Sequence, residues 1–131
     1  MRLPRLLKAI VRPLLLSLPA LYVGAAVAQT APKAAYVIAE VTVFDPASLK
    51  DFAQKTTPLM AKAGGQYLVR GAKPTAISGE APPLLTVIRF PSKAQAEAYL
   101  NSPDYKALAS LREKAAKFRS YVAEEGDTDR Q

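Results

Sequence analysis

Residues 1–28 constrain this chain more than any other stretch, because they decide how much of it is left to fold. Arg2, Arg5, Lys8 and Arg12 precede an apolar run from Leu14 to Ala25, and Ala26-Val27-Ala28 follows. A basic start, a short apolar stretch and a small-x-small site mark a cleavable secretory signal. The run is broken by Pro19 and falls short of the ~20 apolar residues that a membrane-spanning helix needs. Cleavage is expected after Ala28, giving a protein that works in the periplasm or is secreted and meets the membrane only during export. Residues 29–34 then read as a short tether, 35–125 as one folded domain and 126–131 as a polar tail.

Removing the signal changes the charge balance. Four of the 18 bases lie in residues 1–28, which hold no acid, leaving 14 bases against 11 acids and a net charge of +3. Nucleic-acid binding needs a clustered basic face that neutralises several phosphates, and nothing here supplies one. The chain has no cysteine and no histidine. Disulfides, thiolate or imidazole metal sites, histidine-ligated haem and the Ser-His-Asp and Cys-His catalytic arrangements are therefore excluded. No metal site and no cofactor is expected, and acid–base chemistry would fall to carboxylates, tyrosines, lysines or water.

Tyr36–Val43 is rich in β-branched residues and stops at Asp45-Pro46, which predicts a first strand. Its odd positions, Val37 to Val43, are uniformly apolar and its even ones mixed, as in a sheet covered by helices on one face. Pro46 opens a helix with Leu49, Phe52, Ala53 and Met60 on one stripe. Pro58 lies inside it and predicts a kink, or a restart capped by Thr57. Gly64-Gly65 ends the helix, and Gln66–Arg70 is the second strand, expected to resume at Thr75–Ser78. Leu84–Phe90 is the third strand. Ser92-Lys93-Ala94-Gln95 has capping-box form and opens a helix to about Leu100. Ser102-Pro103 starts another, with Leu108, Leu111, Arg112 and Ala115 on its stripe, before a last strand at Phe118–Glu124. The order β-α-β-β-α-β is that of the α+β ferredoxin-like fold, an antiparallel sheet with helices on one face.

The uncovered face then needs an explanation. Arginine under a helix would lose its hydration, so Arg70 and Arg89 are expected on the open face. Alternation adds Leu68, Leu85 and Val87 to it, with Tyr36, Ile38 and Glu40 from the first strand and Arg119 and Tyr121 from the last. Left bare, its apolar part would be adhesive. Twofold pairing of two such sheets removes it from water, so a homodimer is expected.

Tyr36-Val37-Ile38-Ala39 before Asp45-Pro46, Gly64 through Gly71, Phe90-Pro91-Ser92 and Asn101-Ser102-Pro103-Asp104-Tyr105 together resemble the domain of unknown function 1330 family. The resemblance covers Tyr36 to about Glu124. It implies a place in the dimeric α/β-barrel superfamily, where two sheets pack face to face into one barrel. Relatives there include cofactor-free monooxygenases, isomerases and haem enzymes, and the family itself has no settled activity. The family pattern is departed from in three ways: Gly71-Ala72 replaces a glycine pair, Tyr99-Leu100 an aromatic pair, and Glu40 and Arg89 reverse the usual base and acid. In a sheet of strand order 4-1-3-2 the first and third strands are neighbours, so the reversal suggests a cross-strand ion pair.

Two readings of the charged residues follow. Glu40, Arg70 and Arg89, with Tyr36, form either a pocket for a small anionic ligand in the dimer barrel or a network of structural ion pairs. Asn101 and Tyr105 present themselves at the barrel mouth, or belong to a helix break in which Ser102 caps and Tyr105 packs under the loop. Tyr36 and Tyr67 fit core or interface positions, and Lys106, Arg112, Lys114 and Lys117 a solvated helix face. The expected role is binding of a small organic ligand or a protein interaction. The alternative is a cofactor-free enzyme, monooxygenase- or isomerase-like, with no catalytic residue assignable.

Overall fold

The computed structural model describes residues 30–126. The signal segment, Gln29 and the tail beyond Gly126 lie outside the described residues. Four antiparallel strands form one sheet in the order β2-β3-β1-β4. They are β1 (Ala35–Val43), β2 (Gln66–Ala72), β3 (Leu84–Phe90) and β4 (Ala116–Glu124). Helices α1 (Pro46–Lys62), α2 (Lys93–Asn101), α3 (Pro103–Lys106) and α4 (Ala109–Ala115) complete the element order βαββαααβ. The sheet is the ferredoxin-like one, with the second crossover helix divided in three.

β1 is central, paired with β3 and β4. Its odd positions face the helices as expected: Ala35, Val37 and Val41 are buried. One core cluster joins Val37, Ile88 and Phe90 from the sheet to Met60, Ala96 and Tyr99 from the helices. A second joins Val41 to Ala115 and Ala116. The expected tether ends in the domain itself, since Ala34 is buried and its carbonyl accepts from Glu125 N at 2.8 Å.

Helix α1 starts where Asp45 can serve it. The Asp45 carboxylate accepts from Ala47 N at 3.1 Å and Ser48 Oγ at 2.7 Å, and Pro46 supplies a first-turn residue with no N–H to satisfy. The Ser48 hydroxyl bond above all holds that carboxyl below the ordinary aspartate range. Ser48, Phe52, Thr56 and Met60, four apart, are its buried stripe. The helix does not restart at Thr57; it runs through Pro58 as one element. Pro58 and Gln54 are both exposed, so water can serve the Gln54 carbonyl that proline leaves unbonded. The Thr57 hydroxyl donates back to Ala53 O at 2.7 Å rather than capping anything downstream.

Gly64 turns the chain at φ +84, and Gly65 lets it into the core. A Cβ at Gly65 would lie 2.7 Å from Met60 Cγ and 2.8 Å from the Phe90 ring, so no other residue fits. β2 extends to Ala72, and no strand forms at 75–78; residues 73–83 are a connecting loop. Pro74, Pro82 and Pro83 deprive that loop of ladder donors.

Ser92 Oγ accepts from Gln95 N at 3.2 Å, half of the capping box the sequence suggested; Gln95 Oε1 accepts from the Ser92 hydroxyl rather than from its backbone N–H. Ser102 accepts from Tyr105 N at 3.2 Å and donates to Tyr99 O at 2.7 Å, closing α2 and opening α3 together. The stripe expected to run on to Ala115 breaks at Ala107 and Leu108. There Leu108 N bonds Tyr105 O at 3.1 Å, and α4 begins without a side-chain cap.

Candidate functional site

The position of the site is set by a fault in the β2–β3 ladder. Tyr67 pairs with Ile88, but the next pairs are Val69 with Val87 and Ala72 with Leu85. Leu68 and Val69 thus both oppose Val87, a bulge that reverses the alternation of β2 as far as Arg70, before a second shift between Val69 and Ala72. Tyr67, before the bulge, packs on the core beneath the helices. Arg70, after it, turns to the same side, with its Cζ 4.7 Å from the Tyr67 ring centroid. The expectation that Arg70 lies on the open face is therefore corrected. Desolvation does not forbid the position, because β2 is an edge strand and Arg70 remains exposed.

A cavity of about 910 Å³ lies between the sheet and the helices, and all four strands contribute to its floor. Ala39, Thr86, Phe118 and Arg70 are one floor residue from each strand; Phe52, Tyr99 and Tyr105 stand in the helical wall. The aromatic rings support one another: Phe52 to Phe118 at 5.6 Å, Phe90 to Tyr99 at 5.6 Å and Tyr99 to Tyr105 at 5.0 Å between centroids. Burial first, then the neighbouring phenols of Tyr105 and Tyr67, push the Tyr99 hydroxyl well above the usual tyrosine range. It stays protonated, with the Thr56 side chain as its hydrogen-bond partner.

The charges around the cavity are of one sign. Lys50, Arg70, Lys106 and Arg112 contribute to the lining, and no carboxylate does among the described residues. Arg112 stacks on Phe118 with its Cζ 4.4 Å from the ring centroid, as Arg70 does on Tyr67. Among the described residues neither guanidinium has a carboxylate within ion-pair distance; the ion pairs are Lys55–Asp51, Lys93–Glu97 and Arg119–Glu40.

The residues expected to share one pocket are separated. Glu40, Arg89 and Tyr36 are on the open face, and Arg70 is not. Arg89 pairs in register with Tyr36, whereas Glu40 pairs with Leu85, four positions or ~13 Å along the strand. The suggested Glu40–Arg89 ion pair does not form. Glu40 Oε2 instead meets Arg119 Nη1 across β4 at 3.5 Å, and Tyr121 OH donates to Glu40 Oε1 at 3.2 Å. Tyr36 OH donates to Glu125 at 3.5 Å. Tyr105 lines the cavity, while Asn101 is exposed at the end of α2 and does not. Arg112 and Lys106, read in the sequence as a solvated face, line it instead. The signal for Arg112 was present, since it shares a helical stripe with Leu108 and Ala115.

A ferredoxin-like sheet with a half-open, cation-rimmed space beneath its helices defines the class: a small α+β domain. The chain belongs to the family described as domain of unknown function (DUF1330), which it matches over residues 34–126. No curated protein matches the sequence. Solved structures share the fold. A protein of unknown function from Rhodopseudomonas palustris superposes with a TM-score of 0.60 at 14% identity, covering 72% of this chain and 84% of that one. SnoaB, a cofactor-independent oxygenase from Streptomyces nogalater, gives a TM-score of 0.53 at 12% identity, with 76% of this chain and 99% of that one covered. A Pseudomonas aeruginosa protein gives 0.52 at 14% identity, covering 75% and 97%. At such identities the likeness is one of fold.

Proposed function

We propose that the mature domain is an exported, self-pairing binding protein that holds a small organic anion in the cavity between its sheet and its helices. The observation that carries this is the cavity itself. Its volume, about 910 Å³, and its aromatic lining with a few polar groups are those of a small-molecule site. Its charges favour an anion. The other reading of the sequence, a cofactor-free enzyme, has less support from the lining. A proton-abstracting group would have to be a tyrosine or lysine, and the most buried phenol, Tyr99, is held in its protonated form.

Export rests on the 1–28 segment: protein recovered outside the cytoplasm is expected to begin at Gln29. Amino-terminal sequencing reads this directly, and a product retaining Met1 in the membrane would refute it. Pairing rests on the open face, where Ile38, Val69, Leu85 and Val87 are only half covered and Tyr121 is 44% exposed.

Binding is tested with 8-anilinonaphthalene-1-sulfonate, an aromatic monoanion that fluoresces on leaving water. Ala39 is a floor residue of the central strand, so Ala39→Trp fills the middle of the cavity. The dye is expected to bind the unmodified protein and to lose at least tenfold in affinity in Ala39→Trp, with the circular dichroism unchanged. Equal binding to both proteins would place the dye elsewhere and remove the case for the cavity.

A further inference from the structure

The two guanidiniums of the cavity lie towards opposite edges of the sheet. Arg70 is on β2 and Arg112 is stacked on Phe118 of β4, and these are the outermost strands of the order β2-β3-β1-β4. Outermost strands of a four-stranded sheet are three strand spacings apart, ~14 Å. Between them the floor is apolar or neutral, with Ile88, Thr86, Ala39 and Val41 from the two inner strands. With each guanidinium held over a ring of its own outer strand, one anionic group is poorly placed to meet both, so a guest with a single charge would leave one arginine unused.

We propose that the guest is an elongated organic dianion lying across the strands, one charged group at Arg70, the other at Arg112, and an apolar body between. The proposal rests on the cavity reading above and names its ligand class. Each guanidinium is fixed by its ring, Tyr67 or Phe118, and so is oriented before a ligand arrives. Each lacks a protein carboxylate among the described residues, so a ligand carboxylate, sulfonate or phosphate meets an unspent fork of donors. The Tyr99 ring adds to the aromatic wall against which the body of the guest lies. Lys50 and Lys106 add to the positive field of the cavity without fixed direction.

The test is displacement of 8-anilinonaphthalene-1-sulfonate by paired probes of equal chain length, α,ω-dicarboxylates from octanedioate to hexadecanedioate against the matching monocarboxylates. A dicarboxylate near the length of dodecanedioate is expected to displace the dye at a concentration at least tenfold lower than its monocarboxylate. Arg70→Gln and Arg112→Gln, each checked for an unchanged melting temperature, are each expected to erase that preference and bring the dicarboxylate to the monocarboxylate level. Equal potency of the two probes in the unmodified protein would overturn the proposal, as would a preference that survives loss of either arginine. If the dye binds, is blocked by Ala39→Trp, and no dicarboxylate is preferred, the cavity remains a binding site and only the dianion is lost. If Ala39→Trp leaves dye binding intact, both readings fall.

Discussion

Replacing Phe90 with alanine is expected to cost about 3–5 kcal/mol of folding free energy, the range for removing a phenylalanine from a packed core. Phe90 is 0% exposed and is the largest side chain so fully enclosed. Its ring stacks on Tyr99 at 5.6 Å, and its tip fills the space that Gly65 leaves open. Those neighbours come from α2 and from the turn before β2, and Ala35 of β1 pairs with Phe90, so no single element can move in to close the hole. Against a total of about 5–15 kcal/mol for a domain of this kind, the loss is a large fraction. The melting temperature should fall by 10 °C or more. Urea unfolding followed by circular dichroism gives the number: the midpoint should drop while the slope stays the same. A midpoint equal to that of the unmodified protein would mean the Phe90 site is not the packed centre described above.

The second large effect concerns association. Ile38 sits in the middle of the open face, paired in register with Val87 on β3 and Tyr121 on β4. Ile38→Asp would set a carboxylate at the centre of the proposed dimer interface, next to its own copy across the twofold. Two cations lie diagonal to it: Arg119 is already engaged by Glu40, and Arg89 sits two positions along β3, opposite Tyr36. Burying an unpaired charge costs several kcal/mol per ion, so the dimer should weaken at least a thousandfold. Light scattering on a sizing column is expected to give a dimer for the unmodified protein and a monomer for the variant. A stable monomer in the unmodified protein would refute face-to-face pairing outright.

Much of the fold could be read from local chemistry. The apolar odd positions of Tyr36–Val43 set the covered face of β1. Asp45-Pro46, Ser92-Lys93-Ala94-Gln95 and Ser102-Pro103 marked three helix starts, since each supplies its own acceptor for the first-turn N–H groups. The site was less legible, and the reason is one extra residue. Alternation carries Leu68 and Arg70 to the same face only while the ladder stays in step, and Leu68-Val69 holds no glycine to mark the bulge. The helices misled in a related way. Pro58 predicts a break only where its lost bond would be buried, and solvent access at Gln54 is a property of packing rather than of sequence. Arg112 read as solvated because charge outweighed its place on an apolar stripe, whereas Phe118 gives it a surface to lie on.

The same bulge affects how the molecule behaves in a crowd. β2 is an outer strand, and a straight free edge offers unpaired N–H and C=O groups to any extended segment that drifts past. Doubling Leu68 and Val69 spoils the even spacing of those groups, Gly71 bends the strand at φ +57, and Pro74 soon stops it. On the far side, β4 carries Lys117 and Arg119, so a second copy arriving edge-on meets like charge. Neither rim is a template for fibre-like growth. Contact between molecules is left to the flat of the sheet, where the proposed twofold pairing would close on itself and growth would end at two.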